Sequence, residues 1–113
     1  MKERVIYSSF NHYSIQKIRS LDPEAETAYL FGDILLHAER YARETGVKGL
    51  HPALYHMAMG TLAQEYTGSG LAVRVWTVNE EAHIRRMLDL GVDAIITNYP
   101  DRGVRLRDEM EKR

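Results

Sequence analysis

The chain contains no cysteine. Disulfides, thiolate zinc sites, iron–sulfur clusters and a cysteine nucleophile are thereby excluded. No apolar run approaches the ~18 residues that a membrane-crossing helix needs. The charged start Met1-Lys2-Glu3-Arg4 has no long apolar stretch behind it, so no signal peptide is expected. An excess of one charge is missing too, since 15 Lys and Arg face 16 Asp and Glu. That balance gives no electrostatic reason to expect nucleic acid or an anionic membrane as partner. Even the densest basic stretch, from Arg102 onward, interleaves Arg105, Arg107 and Lys112 with Asp108, Glu109 and Glu111. Such mixing marks a solvated helix face. A cytoplasmic location is the expectation.

What is present is enough for one domain, residues 1–113, with an ordinary share of apolar residues for a packed core. Short β-prone runs alternate with helical spacing. Arg4–Phe10 reads as a buried strand, and Asn11 caps a helix from His12 to about Ser20, inward at Ile15, Ile18 and Leu21. Pro23 ends it. Thr27–Phe31 is a second strand. A helix capped by Asp33 then runs through Thr45, with Ile34, Leu35, Ala38, Tyr41 and Ala42 inward and Gly46 as terminator. Val47–His51 is a weaker third strand, and Ala53–Thr67 is a helix that Gly60 splits. Leu71–Val78 is the clearest strand. Asn79 caps the next helix, with Glu80 and Glu81 in its first turn and Ile84, Met87 and Leu88 inward. Gly91 stops it, Val92–Thr97 is the last strand, and 103–113 is a polar helix. Five βα units in succession predict a parallel sheet.

The residues that carry chemistry elsewhere form few patterns here. No two of the five histidines have the i, i+4 spacing of a helical zinc site. His51 ends a predicted strand and is the one histidine placed to face a barrel mouth; His12, His37, His56 and His83 read as surface helix residues. Ser8 and Ser9 lack the Gly-x-Ser-x-Gly elbow of a nucleophile and read as caps of the following turn. Gly68-Ser69-Gly70 precedes a strand, so it lacks the helix N-terminus that phosphate loops use. Tyr13, Tyr41, Tyr55 and Tyr66 fall on helices facing neighbours or solvent.

Four motifs stand in order along the chain: Ser8-Ser9-Phe10, Tyr29-Leu30-Phe31, Trp76-Thr77-Val78-Asn79, and Gly91-Val92-Asp93-Ala94-Ile95-Ile96-Thr97-Asn98-Tyr99-Pro100-Asp101. In that order and spacing the chain resembles the C-terminal half of a glycerophosphodiester phosphodiesterase barrel. Asn98 stands where that family often has Asp. The resemblance implies a partial TIM-type (β/α) barrel covering about the fourth to eighth strands. It implies a family activity of hydrolysing glycerophosphodiesters to glycerol 3-phosphate and an alcohol, in lipid metabolism, with a divalent cation such as Mg²⁺ or Ca²⁺. It also implies that Phe10 and Trp76 line a substrate cleft at the carboxyl ends of strands. The family's metal-binding and catalytic strings, His-Arg-Gly, Glu-x-Asp and His-Asp, do not occur here. The chain is therefore expected to hold no catalytic residue and no metal ligand, and to be an inactive, truncated form when alone.

A parallel sheet of four or five strands leaves two open edges and an inner face with nothing opposite, carrying residues such as Val75 and Trp76. Unpaired backbone groups and bare apolar surface both favour association. A homodimer or higher oligomer is expected, with a separate N-terminal half chain as the other candidate partner. The alternatives to a truncated enzyme are one half of a split enzyme and a non-catalytic oligomeric binding or scaffold module.

Overall fold

The fold is described from a computed structural model, which describes residues 5–111. Five strands run parallel in the order β1 (Ile6–Ser9), β2 (Glu26–Phe31), β3 (Gly49–Pro52), β4 (Ala72–Trp76) and β5 (Ala94–Ile96). The helices between them are α1 (His12–Leu21), α2 (Ala38–Glu44), α3 (Gly60–Thr67), α4 (Glu81–Leu90) and α5 (Pro100–Glu111), with a 3-10 turn at Leu54–Ala58. The sheet curls into half of a TIM-type barrel. Its Cα radius of gyration is 14.3 Å and its extents are 43 × 34 × 21 Å. A compact domain near this size has a radius of about 13 Å, so the molecule is slightly more extended than that.

The alternation of a strand divides the two faces. Tyr29, Phe31, Leu50, Val73 and Val75 point outward into the core beneath the helices. There they meet Ile15 of α1, Ala42 of α2, Tyr66 of α3, Ile84 and Met87 of α4, and Leu106 of α5. Val75 thus faces the helices and not the barrel interior, contrary to the sequence expectation. The inner face carries Ser8, Glu26, Gly49, His51 and Arg74 beside Ile6, Ala28, Leu30, Ala72, Trp76, Ala94 and Ile96, so it mixes polar and apolar residues.

Local chemistry explains most boundaries. The Asn11 carboxamide accepts the N–H groups of Tyr13 and Ser14 at 3.1 and 3.3 Å and so starts α1. Gly46 has φ +78°, and the Val47 N–H reaches back to the Ala42 carbonyl at 2.8 Å. A Cβ on Gly46 would also collide with the Arg19 guanidinium that lies over it. Gly60 opens α3 just after the 3-10 turn, as its position in the sequence suggests.

Several expectations need correction. α2 begins at Ala38, not after Asp33; Leu35 packs on the core from the preceding loop while Leu36 lies 88 % exposed. Ile34 and Tyr41 are also exposed. β1 is an exposed edge strand and not a buried one, because among the described residues β2 is its one neighbour in the sheet. Leu21 is exposed at the end of α1. Helix α5 starts at Pro100, whose fixed φ suits the first turn. Tyr66 and His56 are fully buried and His12 is half-buried, so none of the three is a surface residue. The expected boundaries at Arg4 and Arg113 lie outside the described residues.

Gly49 is the tightest point of the inner face. A Cβ there would sit 2.8 Å from the Ala28 Cβ and 3.0 Å from an Arg74 guanidinium nitrogen. Gly49→Ala is expected to cost about 1–3 kcal/mol through overpacking. Gly60→Ala, where an added Cβ meets nothing, should be neutral or stabilising by up to about 1 kcal/mol. Urea denaturation of the two variants checks this; equal midpoints would contradict the packing described.

Candidate functional site

The carboxyl ends of the strands gather a small aromatic wall. Phe10 follows β1 directly, and Trp76 is the last residue of β4. Their rings meet edge to face, centroids 5.7 Å apart and planes at 89°. Such a pair is worth about 0.5–1.5 kcal/mol beyond the area it buries. Gly32, just past β2, leaves room beside the Trp76 ring and the Tyr55 hydroxyl. Phe10 remains 61 % exposed and Tyr55 is also largely open, so the wall presents ring surface to solvent. The geometry brings Phe10 and Trp76 together, as the sequence reading placed them. Tyr55 was missed, because its 3-10 turn reads as helix in the sequence.

Beneath the wall lies a chain of polar contacts that crosses four strands. The Trp76 indole N–H donates to the His51 carbonyl at 2.7 Å. The His51 ring is buried; its Nδ1 lies 3.0 Å from Ser8 Oγ and its Nε2 3.2 Å from an Arg74 guanidinium nitrogen. Arg74 in turn donates to a Glu26 carboxylate oxygen at 2.7 Å. A guanidinium only donates. His51 Nε2 must therefore accept, and the ring's single proton sits on Nδ1, aimed at Ser8. Ser8 consequently bonds across the sheet and does not cap the turn, whereas Ser9 does cap it, accepting the Asn11 N–H at 3.0 Å.

The electrostatics favour a neutral ring. Burial, and then the Arg74 charge, push His51 from its ordinary 6.5 down to about 4, with Glu26 pulling the other way. His51 is thus a neutral structural bridge at pH 7. His56 also serves structure. Its Nε2–H donates to the Gly32 carbonyl at 2.8 Å, and its Nδ1 accepts from the Tyr66 hydroxyl at 3.2 Å. Burial raises the Tyr66 hydroxyl pKa above its usual value.

The last two sequence motifs clip neighbouring strand ends together. The Asn79 carboxamide oxygen accepts from Thr97 Oγ1 at 3.0 Å and from the Asn98 N–H at 2.9 Å. It therefore ties β4 to β5 and does not cap α4, which begins beyond Glu80. Arg102 donates to the Asn79 carbonyl at 2.8 Å and lies over the Tyr99 ring, 4.5 Å from its centroid.

A Mg²⁺ or Ca²⁺ cage needs several oxygen ligands held together. Among the described residues no three His, Asp or Glu side chains gather so as to hold an ion. Glu26, the acidic member of the inner-face chain, is bound to Arg74. The residues present do not fit that metal.

The His51 shift has a thermodynamic consequence. The unfolded chain takes up the proton near 6.5, and the folded chain resists it to about 4. Stability from this residue is therefore constant above pH 6.5 and falls as pH drops from 6.5 to 4. Thermal melts across that window should show the fall, and His51→Gln, which does not titrate, should make it shallower. An unchanged slope in the variant would contradict the assignment.

Residues 1–102 match the glycerophosphoryl diester phosphodiesterase family. A glycerophosphodiester phosphodiesterase of Bacillus altitudinis is 35% identical over 112 residues, covering 98% of this chain and 46% of the relative. One from Caldanaerobacter subterraneus is 33% identical over 100 residues, 88% of this chain and 41% of that protein. The crystal structure of a glycerophosphodiester phosphodiesterase from Parabacteroides distasonis superimposes with a TM-score of 0.83 at 26% identity, over 96% of this chain and 45% of that one. The chain thus spans less than half the length of these relatives. A half-barrel of parallel strands, an aromatic pair at their carboxyl ends and a family match over nearly the whole sequence lead to one conclusion: the chain belongs to the glycerophosphoryl diester phosphodiesterase family.

Proposed function

We propose that these residues form the later, substrate-facing wall of a glycerophosphodiester phosphodiesterase site and do not turn over substrate alone. The reaction in question is hydrolysis of a glycerophosphodiester to glycerol 3-phosphate and an alcohol. The observation that carries this reading is the Phe10–Trp76 pair at the strand ends of a family member, with Phe10 exposed and Trp76 half-buried. In such barrels the active face is built at the carboxyl ends of the strands. The rings supply apolar contact for the glycerol carbons or the alcohol group. They supply no proton. Diester cleavage needs a positioned acid or base, and the buried histidines His51 and His56 are both engaged in structural hydrogen bonds. On this reading the acid–base groups and the cation site come from strands beyond these five.

The open edges support the other part of the reading, that the half-barrel works in association. β1 and β5 each pair with one neighbour among the described residues. Val5, Ile6 and Tyr7 lie exposed along one edge and Ile96 at the other. Bare backbone and apolar side chains together invite a second chain. A further copy gives a homodimer; a complementary N-terminal half gives a working enzyme. No helix of the described residues is long and apolar enough to cross a membrane.

Two measurements test this. Glycerophosphocholine hydrolysis by the lone chain, with Mg²⁺ or Ca²⁺, should be absent. It should appear on adding the N-terminal half of the Bacillus altitudinis relative. Turnover by the chain alone would contradict the reading. Sedimentation of the chain at micromolar concentration should show self-association, and a stable monomer would contradict the dimer.

A further inference from the structure

The Ser8–His51–Arg74–Glu26 chain is more than filler for a barrel interior. It takes one side chain from each of four consecutive strands, and its directions of donation are fixed. At one end stands the Glu26 carboxylate, at the first residue of β2. At the other, His51 presents its carbonyl to the Trp76 indole. Ser8, which accepts the hydrogen bond from His51 Nδ1–H, lies on β1 two residues before Phe10, which follows that strand. The same histidine therefore touches the supports of both rings of the wall. Gly49 makes the path possible, because a side chain there would occupy the space through which Arg74 reaches Glu26.

We propose that His51 is the positioning residue of the aromatic wall: held neutral between Ser8 and Arg74, it fixes the β3 carbonyl that anchors Trp76, and its protonation releases the wall. This rests on the reading of Phe10 and Trp76 as the substrate-facing pair. The step is a proton transfer from solvent to His51 Nε2, with no other bond made or broken. Once protonated, Nε2 becomes a donor 3.2 Å from another donor. The ring or the Arg74 side chain has to move, and the backbone that carries the anchoring carbonyl moves with the ring. The groups that face His51 are few. Arg74 from β4 opposes the added charge; Glu26 from β2 favours it and is already paired with Arg74. Ser8 from β1 does not titrate in this range.

Trp76 is the one tryptophan of the chain, so intrinsic fluorescence reports its environment directly. We expect emission and acrylamide quenching of Trp76, followed from pH 7.5 to 3.5, to show a transition below pH 6.5. His51→Gln offers Arg74 an acceptor and Ser8 a donor without titrating. It should keep the pH 7.5 emission and lose the transition. His51→Leu should show the acid-form emission at every pH. Far-UV circular dichroism, recorded alongside, separates local release from unfolding. A transition of unchanged midpoint in His51→Gln, with or without loss of backbone signal, overturns the proposal. So does a wild-type emission that stays flat while the backbone signal holds. A glycerol 3-phosphate titration at pH 7.5 reads the wall itself. Absence of binding with the His51-dependent transition intact would sink the substrate-wall reading and leave the positioning role standing.

Discussion

A parallel sheet packed by helices on one face alone governs everything else in this molecule. The helices cover the outer face, where Tyr29, Leu50, Val73 and Val75 build the core with Ile15, Tyr66, Ile84 and Leu106. Nothing comparable covers the inner face among the described residues. Bare apolar surface in that position invites association, and here the inner face is mixed: a hydrogen-bonded polar chain crosses it, with Ile6, Leu30, Trp76 and Ile96 on the same face. Ala28 and Gly49 leave space, and Arg74, His51, Ser8 and Glu26 fill it with hydrogen bonds. The edges have no such solution. Among the described residues both end strands keep one side of their backbone without a strand partner, and pairing with another strand supplies those hydrogen bonds.

The candidate site follows from the same constraint. Chemistry in a barrel sits at the strand ends, and a half-barrel owns half of those ends. What this chain contributes is shape: two rings set at right angles, an indole held by a backbone carbonyl, and two loop ends clipped by Asn79. On the proposed reading such a wall binds and orients substrate.

Much of this was legible in the sequence, and the failures have physical causes. The five βα units and the Asn11 cap follow from local spacing, and the family resemblance placed Phe10 and Trp76 at strand ends without foretelling that their rings meet. The helix expected after Asp33 does not start there. Ile34, Leu35 and Ala38 have helical spacing, but Leu35 reaches the core from a loop, and His37 turns the chain with φ +59° before Ala38. Asn79 has the chemistry of a cap, yet Thr97 and Asn98 compete for its oxygen and win. The inner-face chain was the least legible. Its members lie 23 to 48 positions apart, and no local pattern announces that a serine, a histidine, an arginine and a glutamate share one face. His51 at a strand end was the one available hint. His56 was misjudged because a buried histidine in a short 3-10 turn looks, in sequence, like any polar helix residue.

The account stands on the claim that the outer edges of β1 and β5 are open in the lone chain. Backbone amide hydrogen exchange, followed at dilute and at concentrated protein, tests it most directly. β2, β3 and β4 should be protected at both concentrations, while amides of β1 and β5 should exchange fast when dilute and slow down on association. Edge amides as protected as those of β3, in a protein that sediments as a monomer, would contradict it.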